Sequence, residues 1–236
     1  GCITESAGLD GYLNVPGVIA VCTVDDRGRR PGYAETGANL LVCGPGSDDA
    51  GRSPITTTAL SGRYRSDFSG ASASAPMVAG VAALVLSANP SLTWRDVRLI
   101  LAQTARRNLP ADPGWTVSGF GPPHHPDFGF GVANAQAAVA AARGWVSVGG
   151  SESLRSCGPY ARTPGLSLPD ASQGSTSPRE DAVQIGPECP ISRIEHVEVR
   201  FSASHPYGGD LRIVLVSPNG LESRLADARV CDGDGD

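Results

Sequence analysis

Residues Gly70 to Gly80 read GASASAPMVAG, a serine between glycine and alanine followed by a proline and an apolar run. A serine in this setting has two chemistries open to it. It can cap the helix that follows, which is the commonest use of serine at a helix start. It can also attack a carbonyl, if a base takes its proton and donors hold the oxyanion. A helix start supplies the second need, because its first N–H groups are unpaired and its dipole favours developing negative charge. Gly70 leaves room for a substrate backbone, and Pro76 fits the first turn, where no N–H is required. On residue chemistry alone, both readings of Ser72 stand.

The base is harder to find. The first histidine is His124, well after Ser72, and with His125 it stands in PPHHPDFGFG, where packing within a loop is the expected role. His196 and His205 lie further on, where a solvated or edge position accounts for them. Asp10 begins an Asp-Gly pair, which by itself reads as a turn.

These residues need elements to hold them. GVIAVCTV (17–24) and NLLVC (39–43) are continuous apolar runs, the pattern of strands buried on both faces of a parallel sheet. A small-residue helix is expected from Ser72 to Ala88, stopped by Asn89-Pro90. Thr93 and Asp96 in TWRD approximate a capping box for a second helix, and ANAQAAVAAAR forms a third, ending near Arg143. Beyond it the texture changes. Residues 150–181 are rich in Ser, Gly and Pro, and then Val197, Val199, Phe201 and Ala203 alternate with polar residues, as in a sheet with one wet face. DLRIVLVSPNGLESRLA gives two strands around a Pro-Asn-Gly turn. An α/β portion is therefore followed by an all-β one.

Composition excludes some functions. The 236 residues carry a net charge of −5, and all 19 basic residues are scattered arginines, so no nucleic-acid partner is expected. The longest apolar run, Met77 to Ala88, is about a dozen residues against the ~20 a bilayer requires, so no membrane segment is expected. Six cysteines, at 2, 22, 43, 157, 189 and 231, form no CxxC pair. Cys22 and Cys43 lie in two strands that could be neighbours, either as buried thiols or as a bridge; thiols are the favoured expectation.

SGASASAPMVAGVAALVLSANPSLTWRDVRLILAQTA closely resembles the nucleophile segment of subtilases of the kexin/furin-like proprotein convertase branch. Gly70, Ser72 and Pro76 match the family's Gly-Thr-Ser-x-x-x-Pro pattern, and Ser74 matches its convertase version; Ala71 replaces the usual Thr and Phe68 a common His. LDGYLN (9–14), GYAE (32–35) and FGFGVANAQAAVAAA resemble further catalytic-domain segments, and SRIEHVEVRFSASHPYGGDLRIVLVSPNGLESRLA resembles the P domain.

The resemblance implies a partial α/β subtilisin-like parallel sheet, then a partial all-β P domain of jelly-roll-like sandwich type. Residues 1–143 would be the C-terminal part of the catalytic domain and 144–236 the N-terminal part of the P domain. It implies a secreted, calcium-dependent serine endopeptidase whose polypeptide substrate carries a basic P1 residue. Ser72 would be the nucleophile, Asp10 the S1 carboxylate pairing with P1, and Glu35 and Glu5 calcium ligands. A Cys157–Cys189 disulfide is implied as well, with the oxidising compartment it needs. Subtilases order their triad Asp, His, Ser, and no His precedes Ser72 here. The chain is therefore expected to be a fragment, inactive by itself. The other expectation is a catalytically inactive subtilase-like scaffold or binding protein carrying a P domain.

Overall fold

The structure, a computed structural model, describes residues 6–48, 50–51, 53–116, 121–169 and 178–228. The two apolar runs form parallel strands β1 (Ala20–Val24) and β2 (Leu40–Pro45), with Cys22 opposite Cys43 and Thr23 opposite Gly44. A hairpin of β3 (Ile55–Ala59) and β4 (Arg63–Phe68) follows, its turn made by Ser61 and Gly62 at positive φ. One 3-10 turn, Ala71–Ala73, leads into helix α1 (Ser74–Ala88).

Helix α2 (Trp94–Thr104) opens on the expected capping box, with the Thr93 hydroxyl accepting from the Asp96 N–H and the Asp96 carboxylate accepting from the Thr93 N–H. Helix α3 (Ala135–Arg143) packs on α1 and α2. Val42 of β2, Val78 and Val85 of α1, Ile100 and Leu101 of α2, and Ala138 and Ala142 of α3 share one core. Burying such side chains stabilises by roughly 1.5–3 kcal/mol each for the larger ones.

The turn before α1 lengthens the apolar helical stretch to 18 residues, Ala71–Ala88, with mean hydropathy 1.7. The apolar run from Met77 to Ala88 is the C-terminal two thirds of this stretch. By length and composition alone the stretch would also suit a membrane span, but Val78 and Val85 are packed among α2, α3 and β2 as in a core helix of a domain.

One correction concerns the cysteines. Cys22 and Cys43 form a disulfide, because the parallel register sets them side by side. Cys157 and Cys189 are bridged as the resemblance implied.

In the C-terminal portion, β5 (Ile213–Val216) and β6 (Glu222–Ala226) pair antiparallel around Pro218-Asn219-Gly220. The turn closes with Gly220 N–H donating to Ser217 O, and Gly220 takes φ +81°. The alternating stretch 194–203 forms no strand among the described residues, and Val197, Val199 and Phe201 are exposed. Alternation marks a strand only where a partner edge receives it, and within the described residues this stretch is paired with none.

Candidate active site

The serine's setting is built from the exits of β1 and β2. Gly70 adopts φ +92° and ψ 171°, a region open only to glycine, and so turns the chain sharply out of the β4 hairpin into the 3-10 turn. Its N–H donates to the buried Ser47 Oγ at 3.4 Å, and the Tyr33 hydroxyl donates to Ser47 O at 2.6 Å. Ser72 then lies exposed at the head of an apolar helix. Two residues on, Ser74 is fully buried, its Oγ 2.8 Å from Thr23 Oγ1, 3.1 Å from Gly44 O and 2.9 Å from Pro45 O. Gly44 must be glycine here, since a Cβ would stand 2.7 Å from Ser74 O. The arrangement presents an exposed hydroxyl at the N-terminal end of a helix, whose dipole suits stabilisation of an oxyanion formed on attack.

Asp10 sits elsewhere on the sheet. Its Oδ1 accepts from the N–H groups of Tyr12 at 2.7 Å and Leu13 at 3.3 Å, so it organises the Asp-Gly turn while remaining exposed. That turn is tied to the entrance of β2: Ala7 N–H donates to Thr36 O at 2.8 Å, and Asn39 Nδ2 donates to Ala7 O. The structure thus brings the segments of Asp10 and Glu35 side by side. It anchors them at one end of β2 and Ser72 at the other, ends that a six-residue strand separates by roughly 17 Å.

Glu35 is exposed, and Glu5 lies outside the described residues. Among the described residues no three His, Cys, Asp or Glu side chains converge. Calcium takes six to eight oxygen ligands, more than Glu35 alone supplies.

Both histidines of this portion are bound away from Ser72. His124 Nε2 donates to Leu40 O at 3.1 Å, and burial, more than the neighbouring His125, holds its pKa below the usual value. His125 is buried between Trp115 and Phe128, with ring centroids 5.1 and 4.6 Å away. Its Nδ1 accepts from Asp127 N–H, so Nε2 carries the proton shared with Asp112 Oδ1 at 3.1 Å. Loop packing is their role, as the sequence suggests.

Sequence reasoning missed the β3–β4 hairpin, which delivers Gly70 to its place. The signal was present: ITTT is β-branched, and Ser-Gly at 61–62 is a turn dipeptide.

The sequence matches the family model described as Subtilase family over residues 5–167. The chain belongs to the subtilase family. In this subtilase, residues 194–236 match the Proprotein convertase P-domain, the domain order of the kexin/furin-like branch. Proprotein convertase subtilisin/kexin type 6 of Rattus norvegicus is 37% identical over 228 residues, 97% of this chain and 24% of that protein. Protease KEX1 of Kluyveromyces lactis is 31% identical over 236 residues, 98% of this chain and 30% of that protein. The chain thus spans about a quarter to a third of the length of these relatives. The solved structure of the Aeromonas sobria serine protease in complex with the chaperone ORF2 superposes with a TM-score of 0.74 at 21% identity. It covers 93% of this subtilase and 44% of that chain, a likeness of fold.

Proposed function

We propose that this subtilase is the nucleophile-bearing part of a serine endopeptidase cleaving polypeptides after basic residues, with Ser72 as the attacking group. The observation that carries the reading is the exposed Ser72 hydroxyl at the start of an apolar helix, fixed by Gly70 and Ser74 within a convertase-like sequence. Attack requires a base to take the hydroxyl proton as oxygen bonds to the carbonyl carbon. His124 and His125 are engaged with Leu40 and Asp112, so neither is offered as that base, and residues 1–236 alone are expected not to hydrolyse peptides.

Asp10 would pair with the P1 guanidinium or ammonium, a device that rejects neutral side chains because the carboxylate is then left unpaired. Its present anchoring near Glu35 makes this the more demanding half of the proposal. Calcium dependence through Glu35 and Glu5 is a separate part, read by loss of activity on chelation and its return with added calcium. Two disulfides agree with folding in an oxidising compartment and with secretion.

A fluorophosphonate applied to the full-length protein tests the nucleophile. Labelling at Ser72, with cleavage of Arg-P1 peptides at least 100-fold faster than Ala-P1 peptides, is expected. An unlabelled Ser72 would leave the scaffold reading, which Ala71 and Phe68 in place of the family's Thr and His favour.

A further inference from the structure

We propose that Ser74, through its hydroxyl pair with Thr23, is a positioning residue for Ser72, an inference that rests on Ser72 being the nucleophile. At the foot of a helix built largely of alanine and valine, an alanine would fill the place of Ser74. A hydroxyl there needs partners, since an unsatisfied buried one costs about 1–3 kcal/mol. Three oxygens, Thr23 Oγ1, Gly44 O and Pro45 O, lie within 3.1 Å of Ser74 Oγ.

The protons can be assigned. Carbonyls only accept, so the single Ser74 proton goes to one of them, and the Thr23 hydroxyl donates to Ser74 Oγ. Ser74 is thereby pinned to β1 and to the exit of β2 at once.

The link from there to Ser72 is short and stiff. Ser74 N–H donates to Ala71 O and Ala73 N–H to Gly70 O, closing the 3-10 turn that carries Ser72 between them. Behind this anchor, the Cys22–Cys43 bridge joins the residues immediately preceding Thr23 and Gly44, so the two strands holding Ser74 cannot part. Attack geometry is sensitive to placement; a shift of about 1 Å can cost about 100-fold in rate.

The test uses the full-length protein that carries this chain, with variants Ser74→Ala, Thr23→Val and Thr23→Ser. For an Arg-P1 peptide, Ser74→Ala and Thr23→Val are expected to lower kcat at least tenfold with KM within about twofold, the mark of an interaction expressed in the transition state. Thr23→Ser keeps the hydroxyl and most of the rate. The double variant Thr23→Val/Ser74→Ala is expected to be no slower than Ser74→Ala, because both remove the same link.

Hydrogen exchange over residues 69–77 supplies a reading independent of catalysis and is expected to quicken in Ser74→Ala. Unchanged exchange overturns the proposal whatever the activity, as does quicker exchange with unchanged kcat. Quicker exchange in a protein whose wild type is unreactive at Ser72 upholds the anchor and sinks the proteolytic reading instead.

Discussion

Arg95, in the first turn of α2, forms a two-pronged ion pair with Glu195, one hundred residues further along the chain. Its guanidinium also donates to the carbonyls of Val148, Gly149 and Gly150. Next to it, Asp96 accepts from Trp145 Nε1, Ser147 Oγ and Val148 N–H. Two adjacent residues of one helix start therefore hold the segment that leaves α3 and, through Glu195, the beginning of the P-domain match.

Breaking this pair exposes what it holds. Arg95→Ala leaves Glu195 without its partner, while the carbonyls of Val148, Gly149 and Gly150 keep donors in Ser153 and Thr93, so the loss of this partly exposed pair is expected to cost about 1–3 kcal/mol. Urea unfolding measures the loss. The Glu195→Gln change, which keeps an acceptor for one prong, is expected to cost less than Arg95→Ala; equal stability of wild type and Arg95→Ala would show that the clasp holds nothing.

Asp96 and His124 both contribute to the acid limb of stability. Burial alone would raise the Asp96 carboxyl, but hydrogen bonds from Ser147, Thr93 and Val148 outweigh it and hold the group well below the ordinary carboxylate value of about 3.9. Its stabilisation is complete above that value and drains away as pH falls toward the folded one. His124 is also shifted down, chiefly by burial, so the unfolded chain takes up its proton first and stability begins to fall below about pH 6.5. Urea midpoints from pH 8 to pH 3 should therefore show two declines. Asp96→Asn is expected to shrink the lower one, at a cost of about 3 kcal/mol at pH 7, because an amide turns one donor toward the N–H and O–H groups from which Asp96 accepts. His124→Gln keeps a donor for Leu40 O and should lessen the upper decline, to which His196, also shifted down chiefly by burial, still contributes.

The Cys22–Cys43 bridge closes a loop with sequence separation 21, for which chain entropy gives about 3 kcal/mol. Cys22→Ser/Cys43→Ser is expected to lose about that much in denaturant unfolding under non-reducing conditions. A loss near zero would mean that β1 and β2 pair equally well unlinked.

This bridge also shows where sequence reading stops. The apolar runs around Cys22 and Cys43 were legible as buried strands, but whether the two sulfurs meet depends on register, which spacing along a chain does not encode. The start of helix α2 was legible to the residue because it is written locally, in Thr93 and Asp96. The partners of Asp96 were not, since Trp145 and Ser147 reach it only through tertiary packing. Ser72 and its turn could be read from Gly70 and Pro76, whereas the burial of Ser74 against Thr23, fifty-one residues away, could not. Alternation at 197–203 reported a strand's preference, and preference is realised only against a partner edge.

Gly44 offers a last test of how tightly the serine turn is seated. A methyl at this position would stand 2.7 Å from Ser74 O, 2.9 Å from its Cα and 3.0 Å from its Cβ. These are mainly backbone atoms at the head of a helix whose other face is packed in the core, so they cannot swing aside as a long side chain would. Gly44→Ala must therefore lift the first turn of α1 from the sheet or part β1 from β2, and the disulfide between Cys22 and Cys43 opposes the second. The expected outcome is a destabilisation of about 1–3 kcal/mol from overpacking, with slower fluorophosphonate labelling of Ser72 in the full-length protein. The neighbouring Thr23→Ser/Gly44→Ala pair discriminates the cause: relief of the labelling defect would mean that the crowding acts through the hydroxyl cluster, whereas a persistent defect would locate it in the displaced backbone of Ser74.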